Sequence, residues 1–311
     1  MKKLSIGLAI LLLTTCVIVG LVLPNHMLAA KNQIPKQTPA DLGIAYEDIH
    51  FEPKDQALKL HGWWMPAETP KAILLMVHGA NGSKEGRFPN SLAMYKALLA
   101  EGLSLLAIDL RNHGTSARSE QGELGMGIAE RPDLIAALDQ IELKNPQQLP
   151  IFSFGLSMGG AAVIHLADVD SRSRGLILFD PMLNTKDALE LGAQASTGVP
   201  SWLAELVVWS TLQQRDFEPS AFTVASQQRL PTLLLQDVGD PVTRLEHAEA
   251  LRNTRKDIEY HAFADPASDH WIYDKHGAWG THVAAFYFEP EVFIQNIVSF
   301  VDKHSTLSAG Q

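Results

Sequence analysis

One pentapeptide restricts the fold of this chain more than any other feature. Gly155, Ser157 and Gly159 form a G-x-S-x-G motif between an apolar run at residues 149–153 and a small-residue helical pattern at residues 161–167. The apolar run is typical of a buried strand, so the motif predicts a strand that turns sharply into a helix. Side chains at the two glycines would collide with the neighbouring strand and helix, and the strained turn raises the serine hydroxyl above the sheet.

This turn predicts a chemical role as well as a fold. A serine at the start of a helix is placed as a nucleophile, and the N–H of Met158 points to where an oxyanion would form. A serine alone is a poor nucleophile, so the chain must also supply a base and a group that orients the base.

The segments around the motif resemble the α/β-hydrolase family, and within it the serine aminopeptidase-like bacterial members. Residues 72–83 contain a predicted strand that ends in His78-Gly79, and residues 105–116 contain another that continues as D-x-R-x-x-G-x-S. The resemblance runs from about residue 49 to the C-terminal helix. It implies an α/β fold with a mostly parallel eight-stranded sheet, helices on both faces and a small helical lid.

The same resemblance makes the N–H of Ala80 the second oxyanion donor beside Met158. We interpret Asp109 and Arg111 as structural residues, because charge-assisted hydrogen bonds suit them to hold loops together. His113 is interpreted as a polar turn residue rather than a base.

The acid and the histidine of this family follow the serine along the chain. By resemblance the acid is Asp240, which follows a predicted strand in a G-x-D-like position. Asp237 lies nearer the end of that strand, and Asp180 follows the preceding strand, so both remain alternatives. A turn aspartate that caps the backbone would leave the same pattern in the sequence.

Three histidines follow the expected last strand, residues 258–263, and could be the base. His282 precedes an aromatic stretch and a terminal helix that begins at a proline, and this layout resembles the family's catalytic-histidine segment. His270 and His276 remain alternatives.

A triad of Ser157, Asp240 and His282 predicts a serine hydrolase that acts on a small-molecule acyl substrate through an acyl-enzyme, by default a carboxylesterase. A thioesterase, lipase, acyltransferase or peptidase would use the same triad. A catalytically idle, membrane-tethered binding protein is an alternative of a different class.

Other features of the sequence limit cofactors and partners. No metal or organic cofactor is expected, because no cluster of His, Cys and carboxylates has ligand spacing and no glycine turn has a phosphate-loop lysine. The net charge of −10 argues against a nucleic-acid partner. The sequence contains no pattern that predicts the oligomeric state.

An apolar leader suggests where the enzyme works. Lys2 and Lys3 precede an apolar stretch, residues 4–23, that is long enough to cross a bilayer core. We therefore expect residues 1–30 to be a membrane anchor or a signal peptide, with the catalytic domain extracytoplasmic, or secreted if the leader is cleaved.

The rest of the chain is expected to contain one catalytic domain. Residues 31–45 form a predicted linker and residues 46–311 the domain, with the lid at about residues 185–230. Aromatic and aliphatic residues at 202–209 favour an apolar acyl or alcohol group, although packing on the sheet would leave the same pattern.

Overall fold

The apolar runs of the sequence form the centre of one eight-stranded sheet. The computed structural model describes residues 10, 14, 17–88 and 90–305. The strands are β1 (Glu47–Phe51), β2 (Leu60–Met65), β3 (Ala72–Val77), β4 (Leu103–Asp109), β5 (Ile151–Leu156), β6 (Ser173–Phe179), β7 (Thr232–Asp237) and β8 (Glu259–Phe263).

The order of the strands in the sheet is β1-β2-β4-β3-β5-β6-β7-β8. The pairs β1–β2 and β2–β4 are antiparallel, and the remaining pairs are parallel. This order confirms the predicted α/β fold with a mostly parallel eight-stranded sheet. All residues of β3, β4, β5 and β7 are buried, because helices cover both faces of a parallel sheet.

Helices follow most strands and form the two covering layers. They are α1 (Leu23–Leu28), α2 (Ser91–Ala100), α3 (Arg131–Lys144), α4 (Met158–Ala167), α5 (Thr185–Thr197), α6 (Ser201–Gln214), α7 (Ala221–Gln227), α8 (Leu245–Thr254), α9 (Trp271–His276), α10 (Ala285–Phe288) and α11 (Pro290–Ser305). A π-helical turn, Ile18–Val22, leads into α1. Helices α3, α4 and α8 pack on one face of the sheet, and α2 and α11 pack on the other.

The terminal helix illustrates how the pattern of the sequence becomes packing. Helix α11 begins at Pro290, which suits a first helical turn because proline lacks the N–H that would be unpaired there. Phe293, Ile297 and Val301 recur at intervals of four residues and are fully buried against the sheet. Burying each such side chain stabilises the fold by about 1.5–3 kcal/mol.

Helices also occupy the region predicted to be the lid. Along the chain, helices α5, α6 and α7 come between β6 and β7, within residues 185–227. Helix α1 and the π-helical turn before it lie against α6, where the side chains of Ser210 and Gln214 both donate to the carbonyl oxygen of Gly20. We call α1, α5, α6 and α7 the cover.

The end of the predicted leader is built into the domain. Leu28 is 1% exposed, and its carbonyl oxygen accepts from the N–H of Leu124. The N–H of Ala30 donates to the carbonyl oxygen of Gly122. Residues 1–9, 11–13, 15 and 16 of the leader lie outside the described residues. Within the described part of the chain, no helix is both long and apolar enough to cross a membrane.

Candidate active site

The serine of the pentapeptide lies in the strained turn between β5 and α4. Its backbone has φ 53° and ψ −122°, a region that non-glycine residues rarely adopt. A Cβ at Gly159 would strike the carbonyl oxygens of Val77 and His78, and a Cβ at Gly155 would strike the carbonyl oxygen of Gly159. These contacts give the physical reason for both glycines of the motif.

The structure brings Ser157, His282 and Asp240 into one chain of hydrogen bonds. His282 Nε2 lies 3.0 Å from Ser157 Oγ. His282 Nδ1 lies 2.7 Å from Asp240 Oδ2. The side chains of His282 and Asp240 are 5% and 0% exposed, so bulk water competes little for these contacts.

These partners determine the tautomer of the histidine. A carboxylate only accepts, so the contact with Asp240 favours the tautomer of His282 that carries its proton on Nδ1, and Nε2 can then accept from the hydroxyl of Ser157. The other oxygen of Asp240 accepts from the N–H groups of Val242 and Thr243, at 2.7 and 3.0 Å. The hydroxyl of Thr243 donates to the same carboxylate oxygen as the imidazole. Asp240 is therefore held from both sides in the orientation that faces His282.

The alternative histidines lie in other surroundings. His270 caps α9, where its Nδ1 accepts from the N–H of Ile272 at 3.3 Å. His276 donates from Nδ1 to the carbonyl oxygen of Gly280, and burial lowers its pKa to about 4. Within the described residues, neither histidine has a hydrogen bond to Ser157.

The two residues whose amides the sequence predicts as oxyanion donors line the same cavity as Ser157. Met158 is the first residue of α4, so its N–H has no partner within the helix. Ala80 follows Gly79, which packs so closely that a Cβ there would lie 3.0 Å from the Cβ of Ser157. Ala80, Met158, Ser157 and His282 all line one cavity.

A buried histidine supports the loop that carries Ala80. His113 Nε2 accepts from the N–H of Asn81 at 3.1 Å, and its Nδ1 donates to the carbonyl oxygen of Arg111 at 2.8 Å. Burial lowers the pKa of His113 to about 3, so the ring is neutral and can accept at Nε2. His113 thus lies in a turn, as predicted, and contacts the loop that carries Ala80.

The residues predicted to be structural form ion pairs in this region, and all the charged partners except Asp55 are buried. Asp109 accepts from Lys84 Nζ at 2.5 Å, and the Lys84 side chain is 2% exposed. Arg111 binds Asp133 and Asp55, each through two side-chain hydrogen bonds. Sequence reasoning missed Lys84, because a lone lysine in a glycine-rich loop carries no pattern that predicts burial.

Similarity to known proteins agrees with this geometry. A family model described as serine aminopeptidase, S33, matches residues 68–237, which is more than half of the chain. The chain belongs to this family of α/β hydrolases. Human monoglyceride lipase is 30% identical to the hydrolase over 151 residues, 48% of this chain and 47% of the lipase. The hydrolase thus spans about half the length of the curated relatives it matches.

Solved structures share the fold of the hydrolase. The esterase Pf2001 of Pyrococcus furiosus superposes with a TM-score of 0.72 at 20% identity, over 90% of this chain and 99% of the esterase. The α/β hydrolase GrgF from Penicillium sp. sh18 gives a TM-score of 0.63 at 17% identity, over 84% of this chain and 99% of GrgF. At these identities the likeness concerns the fold alone.

The hydrolase has a cavity of about 620 Å³ above Ser157. Leu203 and Val207 of α6 and Leu189 of α5 form part of its wall. Leu23 and Met27 line it from the N-terminal segment. Sequence reasoning missed these two residues, because an apolar leader predicts contact with lipid rather than with a pocket.

One group of ligand-type atoms lies in the site. Single donor atoms of Asp180, Asp240 and His282 fall within 4.8 Å of one another. Two of these residues, Asp240 and His282, bond to each other.

Proposed function

We propose that this hydrolase is a serine carboxylesterase with Ser157 as nucleophile, His282 as base and Asp240 as the orienting acid. The observation that carries the proposal is the unbroken path from the Ser157 hydroxyl through the imidazole to a buried carboxylate. Nucleophile, base and orienting group in hydrogen-bond contact are what activates a serine.

The proposed residues account for each step of an acyl transfer. His282 Nε2 accepts the proton of Ser157 as Oγ attacks an acyl carbonyl, and the imidazolium then donates that proton to the leaving alcohol. The N–H groups of Ala80 and Met158 donate to the oxyanion of the tetrahedral intermediate. Water, activated by the same histidine, then hydrolyses the acyl-enzyme.

The cavity favours an apolar acyl group as substrate. Its volume of about 620 Å³ lies within the usual range for small-molecule sites, and aliphatic side chains form much of its wall. The similarity to monoglyceride lipase favours an ester between a single acyl chain and a small alcohol. No metal or organic cofactor takes part in the proposed steps.

Substrates that share one acyl group test the proposal against enzymes with the same triad. The p-nitrophenyl ester, the thioester and the amide of one acyl chain are compared on wild type and Ser157→Ala. We expect the ester to have the highest kcat/KM and the variant to lose its turnover. Faster turnover of the thioester or the amide would instead identify a thioesterase or a peptidase. A folded wild type that turns over none of them would be a binding protein.

We also propose that residues 1–30 stay attached to the enzyme and hold it at a membrane, with the catalytic domain extracytoplasmic. Burial of Leu28 and the cavity contacts of Leu23 and Met27 support retention, because cleavage after residue 30 would remove part of the pocket wall. Exposed apolar side chains support a membrane setting. They belong to the π-helical turn and to α6: Ile18, Leu21, Val22, Trp202 and Trp209.

Fractionation of cells that express the full chain tests this second proposal. We expect the protein in the membrane fraction, with an intact mass that includes residues 1–30, and we expect protease added from outside to digest it. A soluble protein that begins near Lys31 would contradict retention. A membrane-bound protein that resists external protease until the cells are opened would contradict the orientation.

A further inference from the structure

Three carboxylates are buried beside His282, and only one of them contacts the imidazole. Asp180 and Asp237 are fully buried, and Asp240 is 5% exposed. The first two are the alternative acids of the sequence. Instead of His282 itself, they bind the backbone that follows it. Asp180 Oδ2 accepts from the N–H of Val283 at 2.6 Å.

Asp237 binds the next two amides of the same loop. Its Oδ2 accepts from the N–H groups of Ala284 and Ala285, at 2.8 and 3.2 Å. Its own N–H donates to Asp180 Oδ1 at 2.7 Å. The two side chains, at the ends of neighbouring strands β6 and β7, therefore hold three consecutive N–H groups after His282.

The loop needs such support because its backbone is strained. Val283 has φ 51°, a left-handed conformation that is a clear outlier for a β-branched residue. Such a conformation costs of order 1–3 kcal/mol and persists only where the surroundings hold it in place. The hydrogen bond from the Val283 N–H to Asp180 fixes the residue that directly follows His282.

Two ionised carboxylates would repel each other at this buried site, and one bound proton removes that repulsion. Neighbouring buried carboxylates cannot both ionise at low cost, and burial raises the pKa of Asp180 and of Asp237. Both oxygens of Asp180 accept backbone N–H groups. Asp237 Oδ1, although buried, has no hydrogen-bond partner among the described residues. It is the oxygen that can carry a proton and donate it to Asp180.

The other titratable groups around the pair act in known directions. The charge of Asp240 raises the pKa of both carboxyls, and His282 lowers that of Asp237. Tyr260 and Tyr273 also face the pair, and their own pKa values are raised, first by burial. A proton on the pair therefore removes one negative charge from beside Asp240.

We propose that Asp180 and Asp237 share one proton and act as a positioning pair that holds His282 in line with Ser157 and Asp240. The inference rests on the proposed role of His282 as the base. The pair touches no substrate. It fixes the backbone of the loop that follows His282. Its proton leaves the site with one negative charge fewer than two ionised carboxylates would give.

The contacts predict opposite results for two isosteric variants. In Asp237→Asn the amide oxygen still accepts from Ala284 and Ala285, and the amide nitrogen replaces the proton as donor to Asp180. In Asp180→Asn the amide nitrogen must face either the N–H of Val283 or that of Asp237, and neither can accept. We expect Asp237→Asn to keep kcat within about threefold and Asp180→Asn to lose about a hundredfold in kcat with little change in KM.

The pH profile separates a positioning role from a general structural one. Burial raises the pKa of both carboxyls, so wild-type kcat should fall at alkaline pH, where the pair loses its shared proton. Asp237→Asn has no proton to lose, and its alkaline limb should be shifted to higher pH or absent. Wild type and this variant are enough for the comparison if Asp180→Asn does not fold.

The experiment uses the full chain, with kcat and KM for a p-nitrophenyl ester measured from acid to alkaline pH and folding checked by circular dichroism. Wild type must first turn over the ester, so a failure of the proposed function is seen separately. Unchanged kcat in folded Asp180→Asn, or equal loss in both variants, would overturn the proposal. So would loss of wild-type activity with a chelator and its return with Ca²⁺, because a cation would then replace the shared proton.

Discussion

The strand ends and the cover of this hydrolase are built by different rules. At the strand ends each side chain of the site has fixed polar partners. Asp240, for example, accepts hydrogen bonds from His282, Val242 and Thr243. The cover meets the cavity through aliphatic side chains, and its outer surface exposes Trp202 and Trp209 at 65% and 60%. At the strand ends, directional hydrogen bonds fix the side chains of the proposed active site. In the cover, apolar contacts, which have no preferred direction, form the cavity wall against which a substrate would pack.

Substitutions in the two regions should therefore change different kinetic parameters. Ser157→Ala should lower kcat by about a thousandfold or more, because the nucleophile is removed while the fold is kept. Leu203→Ala in the cover should change KM more than kcat. Steady-state kinetics with a p-nitrophenyl ester measures both. Equal losses of kcat in the two variants would show that the strand ends have no special role.

The same change of glycine to alanine should have opposite effects in the two regions. Gly159→Ala places a Cβ against the carbonyl oxygens of Val77 and His78, where the backbone cannot give way. We expect it to lower the free energy of unfolding by about 3 kcal/mol or more. In the cover, a Cβ at Gly192 of α5 meets only the ring of Trp279, at 4.0 Å.

Gly192→Ala is thus the matched control for this prediction. Alanine suits a helix interior better than glycine does, and the variant should gain about 0.5–1 kcal/mol in the free energy of unfolding. Denaturant titration followed by circular dichroism measures both variants. A stable Gly159→Ala would contradict the account of the nucleophile turn.

Acyl-chain selectivity should respond to the N-terminal part of the cover. Leu23→Ala and Met27→Ala remove side chains from the cavity wall, and each should change the ratio of kcat/KM between long and short acyl esters by about tenfold. Val169→Ala, at an exposed position away from the cavity, is the control. Unchanged selectivity in both cover variants would separate the N-terminal segment from the pocket.

The strand ends should contribute a part of the pH dependence of stability that Asp237→Asn removes. Burial in the folded state raises the pKa of Asp237 and of Asp180 above the usual 3.8, so the folded pair binds protons more tightly than the unfolded chain does. The resulting stabilisation is complete below about pH 4 and is lost as the pH rises through the raised pKa values of the pair. The Tm of wild type should therefore fall more steeply over this range than that of Asp237→Asn. Parallel slopes would contradict the shared proton.

The smallest effect is expected on the outer surface of the cover. Trp209 is largely exposed, so Trp209→Ser should change the free energy of unfolding by no more than about 0.5 kcal/mol. Val208, the next residue, is fully buried, and Val208→Ala should cost about 1–3 kcal/mol. Thermal unfolding of both variants measures the difference, which disappears if this face of α6 is covered in the folded chain.

The sequence predicted the fold because its signals are local. The apolar runs, the glycines around Ser157 and the proline that starts α11 each act within a few residues, and the sheet they imply is the one observed. The three aspartates after β6 and β7 could not be distinguished in this way. Asp180, Asp237 and Asp240 all lie at or just after strand ends, and only their contacts across the sheet separate the one that faces His282 from the two that hold its loop.

The N-terminal segment shows a different limit of sequence reasoning. Its hydropathy indicates that residues 4–23 avoid water, but lipid and protein satisfy that requirement equally well. Leu28 is buried in the domain, while Leu21 and Val22 remain exposed beside α6. Lys84 was missed for a related reason, since its burial depends on Asp109, a partner 25 residues away.

Covalent labelling with a fluorophosphonate, followed by mass spectrometry of the labelled peptide, tests the triad most directly. The account predicts one adduct, on Ser157, in wild type and in variants of the cover. It predicts none in Ser157→Ala, and labelling about a thousandfold slower in His282→Ala. A folded wild type that stays unlabelled, or an adduct on another serine, would contradict the proposed active site.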